Sequence, residues 1–475
     1  MTATDPAERL GEVEAALVAR WPENVIEPSL ERMRALVDLL GDPQRAYPVI
    51  HVTGTNGKTS TARMIEALLR AFGLHTGLYT SPHLTSVRER ILLDGDPIEP
   101  DRLVRAYDEV LPYAQLVDAR SEADGGPALS FFELMTALAY AAFADAPVDV
   151  AIVEVGLGGT WDATNVADGT VAVVTPVDLD HTELLGETAE EIAGEKAGIV
   201  APDSVLVMAQ QRPEVAEVLL RRAADVGAEV TREGLEFGVL QRLVAVGGQQ
   251  LTLRGLGGVY DDVLLPLFGP FQAHNAAVAL AAVEVFLGGG ARELDPDLVR
   301  AGFASVTSPG RVEVVRRGPT VLLDAAHNPH GARALAEALT DSFDFRHLVG
   351  VVAVLEGKDA RGLLEALEPV LAEIVVTQNS SPRCLPADDL AADAVDVFGP
   401  DRVEVVLRLD DALEAGVRLA EESGEYGGAG VLVTGSIVTV GDARRLLVGE
   451  PPAPRRGEPP LRRGEPPPRR AEASP

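Results

Sequence analysis

Residues 49–73, VIHVTGTNGKTSTARMIEALLRAFG, constrain this chain more than any other stretch. Residues 47–52 are a short apolar run with β-branched members, which predicts a buried strand. Gly54-Thr55-Asn56-Gly57-Lys58-Thr59 follows. Then Met64, Ile65, Leu68, Leu69 and Phe72 recur at helical spacing until Gly73 stops the helix. A strand, a glycine loop ending in Lys-Thr and a helix make a cradle for phosphate. Backbone N–H groups close around oxygens, the helix N-terminus favours an anion, Lys58 reaches the terminal phosphates and the Thr59 hydroxyl suits Mg²⁺. The usual spacing would put glycine at position 52, where Val52 stands, so the loop is a shorter form of that pattern.

Strands predicted at residues 148–155 and 171–175 alternate with helices around this unit, which implies a mostly parallel α/β sheet. Ligands in such sheets sit beyond the carboxyl ends of the strands. Lys58-Thr59, Ser81, Glu154 and His181 each follow such an end and are expected on one rim. A strand is also expected around Arg88 and Arg90, helix over most of 98–143 with a polar loop at 121–126, and a helix over 188–200. Strand-like segments fill 225–268, and Phe271-Gln272-Ala273-His274-Asn275 opens an alanine-rich helix. Glycine-rich residues 288–310 read as a boundary. A second α/β unit follows, with strands near 320–323, 347–354, 373–377, 402–407 and 430–434. The expected domains are 1–298, 299–448 and a disordered Pro/Arg-rich tail at 449–475, where six arginines face four glutamates.

Composition narrows the function. A net charge of −32 argues against nucleic acid and anionic membranes as partners. A single cysteine, Cys384, excludes an internal disulfide and fits a reducing compartment. Charges break the most apolar region, 134–155, and no basic, apolar leader opens the sequence, so a cytoplasmic protein is expected. Only Lys58, Lys196 and Lys358 are lysines, against 38 arginines. A chain that nearly excludes lysine is expected to keep it where guanidinium cannot substitute. Lys196 has Ile192, Ala193, Ile199 and Val200 as helical neighbours, so no salt-bridge partner is available there. For Lys358, chance survival is the simpler reading.

The pieces GTNGKTSTARM, YTSPHL, EVGLGGTWDATN, DLDHTELLGETAEEIAGEKAGI, FQAHNAA, GRVEVV, DAAHNPHGA and VLVTGS occur in one order. That set resembles the folylpolyglutamate synthase/dihydrofolate synthase family of the Mur ligase superfamily. The resemblance implies an N-terminal P-loop ATPase domain, a smaller C-terminal Rossmann-like domain and a site in the cleft between them. It implies an ATP-dependent amide ligase that activates a folate carboxylate as an acyl phosphate and joins it to L-glutamate, with dihydropteroate as a second acceptor. By motif, Gly54 to Thr59, Asn275, Arg311 and Asp324 would bind ATP. Thr59, Ser81, Glu154, His181 and a carbamylated Lys196 would hold two Mg²⁺ ions. Lys58, His181 and Lys196 would serve the chemistry. Ser130, Phe132, Trp161, Asp162 and Ala163 would line a pterin pocket, His83 is more positional than catalytic, and His327 lies nearby. Ala325 stands where the family has glycine, which requires a backbone outside the positive-φ region there. A monomer is expected. The rival readings are a Mur-type ligase acting on a cell-wall precursor and a non-catalytic ATP-binding protein.

Overall fold

The computed structural model describes residues 6–21, 27, 29–424 and 428–449. The tail expected at 449–475 therefore lies almost wholly outside the described residues. The first sheet contains β1 (Val49–Thr53), β2 (Thr76–Tyr79), β3 (Ile91–Leu93), β4 (Asp96–Pro97), β5 (Val150–Glu154), β6 (Gly169–Val174), β7 (Val205–Met208) and β8 (Glu229–Arg232). Their order is β4-β3-β2-β5-β1-β6-β7-β8, parallel from β2 to β8. β1 lies in the middle and every one of its residues is buried. Val52 pairs with Glu154 on one side and Val173 on the other, so a branched apolar residue serves where the usual loop spacing would put glycine. The chain leaves β1 towards β2 on one side and reaches β6 on the other. That reversal opens a crevice at the carboxyl ends of β1, β5 and β6.

A three-stranded antiparallel sheet follows: β9 (Gly238–Ala245), β10 (Gly248–Arg254) and β11 (Val259–Leu265). The helix Pro270–Gly288 is apolar on all sides and long enough to cross a membrane. Here it is a core helix, packed with the phosphate-loop helix Lys58–Ala71 and the inner faces of both sheets in one hydrophobic cluster.

The second domain is a six-stranded sheet of β12 (Glu313–Arg317), β13 (Thr320–Leu323), β14 (His347–Val352), β15 (Glu373–Val376), β16 (Val403–Val405) and β17 (Ala429–Thr434), in the order β12-β13-β17-β14-β15-β16. All pairs but β12–β13 are parallel. Apolar clusters cover both faces of the sheet.

Three local expectations are corrected. Arg88 and Arg90 lie in a 3-10 turn, Val87–Arg90, not a strand. Glu89 turns back to accept from the Leu84 and Thr85 amides, a local bond that competes with strand pairing. The helix Pro100–Ala123, whose inner face packs Leu103, Val110 and Val117 into the core, extends through 121–123, so the polar loop expected at 121–126 begins only at Asp124. The glycine-rich stretch 288–310 contains the helix Pro296–Ala304, capped by the Asp295 side chain. That helix packs on the phosphate-loop helix, with Gly302 against Leu68, so a boundary at 298/299 would cut an element of the first domain.

Candidate active site

The phosphate loop turns through two positive-φ glycines, Gly54 and Gly57, and the helix starts at Lys58. Gly57 is required twice over. Its φ is +87°, and an added Cβ would lie 2.6 Å from Asn275 Oδ1. Lys58 Nζ folds back to donate to the carbonyls of Gly54 (3.0 Å) and Thr55 (3.1 Å). Thr59 Oγ1 donates to Glu154 Oε1 at 2.8 Å, and the Ser81 amide reaches Glu154 Oε2 at 3.4 Å. Burial pushes the Glu154 carboxyl up, while the nearby Lys58 ammonium and the Thr59 hydroxyl pull it back. Burial likewise lowers Lys58, with Glu154 and Asp180 holding it up.

Lys196 ends the helix Ala189–Lys196 and is buried; its Nζ donates to Gly54 O at 2.9 Å. Burial lowers its ammonium to about 7, and Lys58 pushes the same way. The backbone of Gly159 comes so close to that helix that a Cβ would meet the Glu195 carbonyl at 2.8 Å. Beside Lys196 lies a small cavity of about 20 Å³, lined by Gly54, Lys58, Gly156, Leu157 and Asp180 among others.

Above it a cleft of about 1290 Å³ opens between the domains. It is lined by Thr55, Asn56, Gly57, Lys58, Thr59, Ser81, Glu154, His181, Asn275, Arg311, Asp324 and His327, and at one end by Ser130, Phe132, Trp161, Asp162 and Ala163. The expected residues thus meet in one cleft, except Gly54 and Lys196 just beneath it and His83 away from it. His83 Nδ1 accepts from Arg90 Nε at 2.8 Å. Two expected ligand contacts are engaged with the protein's own backbone. Asp324 accepts from the amides of Val312 and Ala326, both at 2.9 Å. The first bond anchors a β-branched residue at φ 49°, next to Arg311. Asp162 accepts from the amides of Leu157 (2.8 Å) and Thr164 (3.0 Å), shaping the glycine loop after β5. Ser130 caps the helix Phe131–Asp145 in a reciprocal pair with Glu133. Ala325 is not among the positive-φ residues, so its methyl group meets the condition set for it.

The sequence reading missed Asp180. Burial alone would raise its carboxyl, but His181, Lys358, His327 and Lys58 around it bring it down to about 2. Asn328 Nδ2 donates to Asp180 Oδ2 at 3.2 Å, and Lys358 Nζ stands 3.4 Å from Oδ1. Lys358, left to chance by the sequence reading, therefore lines the same cleft as Lys58. Asn56 and His330 also meet across the domains at 2.6 Å. Asp180 could have been suspected from its place beside His181 in the DLDH piece.

The site also fits magnesium. Among the described residues no three His, Cys, Asp or Glu side chains cluster as a metal cage. Mg²⁺ does not need one: it is held through one or two carboxylates and hydroxyls, with phosphate and water completing the shell. Glu154, buried against the Thr59 hydroxyl beside the phosphate loop, is such a carboxylate.

A phosphate loop facing a second α/β domain across a cleft defines a two-domain nucleotide-dependent enzyme. The model of the Mur ligase glutamate ligase domain matches residues 310–437. Dihydrofolate synthase/folylpolyglutamate synthase of Mycobacterium tuberculosis is 54% identical over 465 residues, covering 94% of this chain and 96% of that protein. The structure of Mycobacterium tuberculosis folylpolyglutamate synthase complexed with ADP superposes with a TM-score of 0.89, over 93% of this chain and 99% of the other, at 54% identity. An FPGS–AMPPCP–folate complex gives 0.80 at 31% identity, covering 93% and 100%. The chain belongs to the dihydrofolate synthase/folylpolyglutamate synthase family.

Proposed function

We propose that this protein joins L-glutamate to tetrahydrofolate at the expense of ATP, through an acyl phosphate, and accepts dihydropteroate as well. The observation that carries the reading is the 2.8 Å contact of Thr59 with Glu154 under a loop whose Gly54 carbonyl receives both Lys58 and Lys196. Two lysines, a hydroxyl and a carboxylate gathered at a phosphate loop support a site for a terminal phosphate.

In this reading Lys58 turns from the loop carbonyls to the phosphates when nucleotide arrives. Thr59, Ser81 and Glu154 hold one Mg²⁺, which neutralises phosphate charge when bound, and His181 and Lys196 hold a second. Burial keeps much of Lys196 neutral near pH 7. A neutral amine can take up CO₂ as a carbamate, an oxygen ligand suited to magnesium. The cavity beside it has room for a small group. Arg311 steadies the transferring phosphoryl group from the opposite domain. Asn275 faces the adenine, and Asp324 fixes the Arg311 segment and borders the nucleotide. His327 lines the same cleft nearby. Phe132 offers a face on which a pterin can stack, with Ser130, Trp161 and Ala163 around it and Asp162 shaping their loop. Closing the cleft excludes water that would hydrolyse the acyl phosphate. One chain supplies all these groups, consistent with a monomer working in the cytoplasm. The domains divide at residue 309.

The test is isotope transfer. With ¹⁸O in the acceptor's carboxylate, one label is expected in the released phosphate for each amide formed. Phosphate free of label while ligation proceeds would overturn the acyl phosphate.

A further inference from the structure

From the cleft wall, buried polar side chains run from the phosphate loop to the inter-domain join. Asn275 packs on Gly57 and donates through Nδ2 to Gln272 Oε1 at 3.1 Å. Gln272 Nε2 donates to Ser60 Oγ at 3.2 Å, and Ser60 Oγ lies 3.3 Å from Ser308 Oγ. The Ser308 carbonyl accepts the Arg311 amide at 3.2 Å. Gln272 is 0% exposed, Ser60 3%, Asn275 4% and Ser308 6%. Polar groups this deep are costly unless paired, and when paired they fix one arrangement. Ser60 reaches the cleft wall, but Gln272 and Ser308 do not line the cleft, so direct binding does not account for them.

Their position does. Ser308 is tied to the first domain through Ser60. Gly310, two residues on, is tied to the second: its carbonyl accepts the Ala325 amide at 3.0 Å, and its amide donates to Glu313, which pairs with Arg444. The chain changes domain at Pro309, and the Arg311–Ser308 bond spans that point.

We propose that Gln272, Ser60 and Ser308 are positioning residues: they register Arg311 against the phosphate loop, so that an occupied nucleotide site sets the arginine in place. The proposal rests on the reading of Arg311 as a phosphate-facing cation.

A double-variant cycle tests it. Ser308→Ala is expected to lower kcat for ATP-dependent glutamate addition by about tenfold, since small displacements of a charge-stabilising group are costly, with ADP affinity changed less than about twofold. Gln272→Leu should act alike. Arg311→Ala should lose more, and Ser308→Ala/Arg311→Ala should lose no more than Arg311→Ala alone. Multiplying losses, or an unchanged kcat in Ser308→Ala, would overturn the proposal. Absence of turnover in the parent protein would instead count against the proposed reaction. Hydrogen exchange then decides on ADP alone: residues 306–313 should gain protection with ADP in the parent chain and not in Ser308→Ala. Equal protection in both would overturn the relay.

Discussion

Lys196 and Glu154 are two ionisable groups that water would stabilise better than this interior does. Each is kept by a partner: Gly54 O receives Lys196 Nζ, and Thr59 Oγ1 and the Ser81 amide face Glu154. Lys196→Arg is expected to keep nucleotide binding within about threefold and to lose glutamate addition by more than about hundredfold, because guanidinium does not form a carbamate. Unchanged ligation would make the side chain structural. The pH dependence has a definite sign. Below about 7 the ammonium form holds the proton; above it the neutral amine grows. Ligation should therefore rise with pH through that value and fall in CO₂-depleted buffer, read as initial rates; a flat profile insensitive to bicarbonate would contradict the carbamate. Glu154→Gln keeps shape and removes charge. It should raise the Mg²⁺ concentration needed for half-maximal rate by at least about tenfold, and an unaltered requirement would place the metal elsewhere.

The strand–loop–helix unit was the most legible element, because strand, turn and helix each leave an independent signal and all three agree. Its Gly57 shows why. Gly57→Ala would strain a φ of +87° and drive Cβ into Asn275; ADP affinity should drop by at least about tenfold, roughly the 1–3 kcal/mol such strain costs. Titration calorimetry showing wild-type affinity would refute that packing. Elements fixed by tertiary bonds were less legible. The turn Val87–Arg90 exists because Glu89 binds backbone amides, and the helix Pro296–Ala304 because it docks on the phosphate-loop helix. Neither cause is visible in local periodicity. Asp162 and Asp324 line the cleft in which they were expected, but their work as clamps that shape two loops was not legible, since their amide partners are set by the folded backbone.

Across the whole molecule, the cleft depends on groups that meet only after both domains fold. Asp180 from the first domain faces Asn328 and Lys358 from the second. Sequence order brought Thr59, Ser81, Glu154 and His181 to one rim through sheet topology. No such rule pairs residues in different domains, which is why Asp180 and Lys358 went unassigned. Asp180→Ala should loosen the join between the domains, giving a larger radius of gyration by X-ray scattering without nucleotide; superimposable curves would show that this contact does not hold the domains. The measurement that bears most directly on the account is ADP release with each component omitted in turn. Release should require L-glutamate together with tetrahydrofolate or dihydropteroate, and a muramyl nucleotide should not replace the pterin acceptor. Release with the muramyl acceptor alone, or at full rate without glutamate, would contradict it.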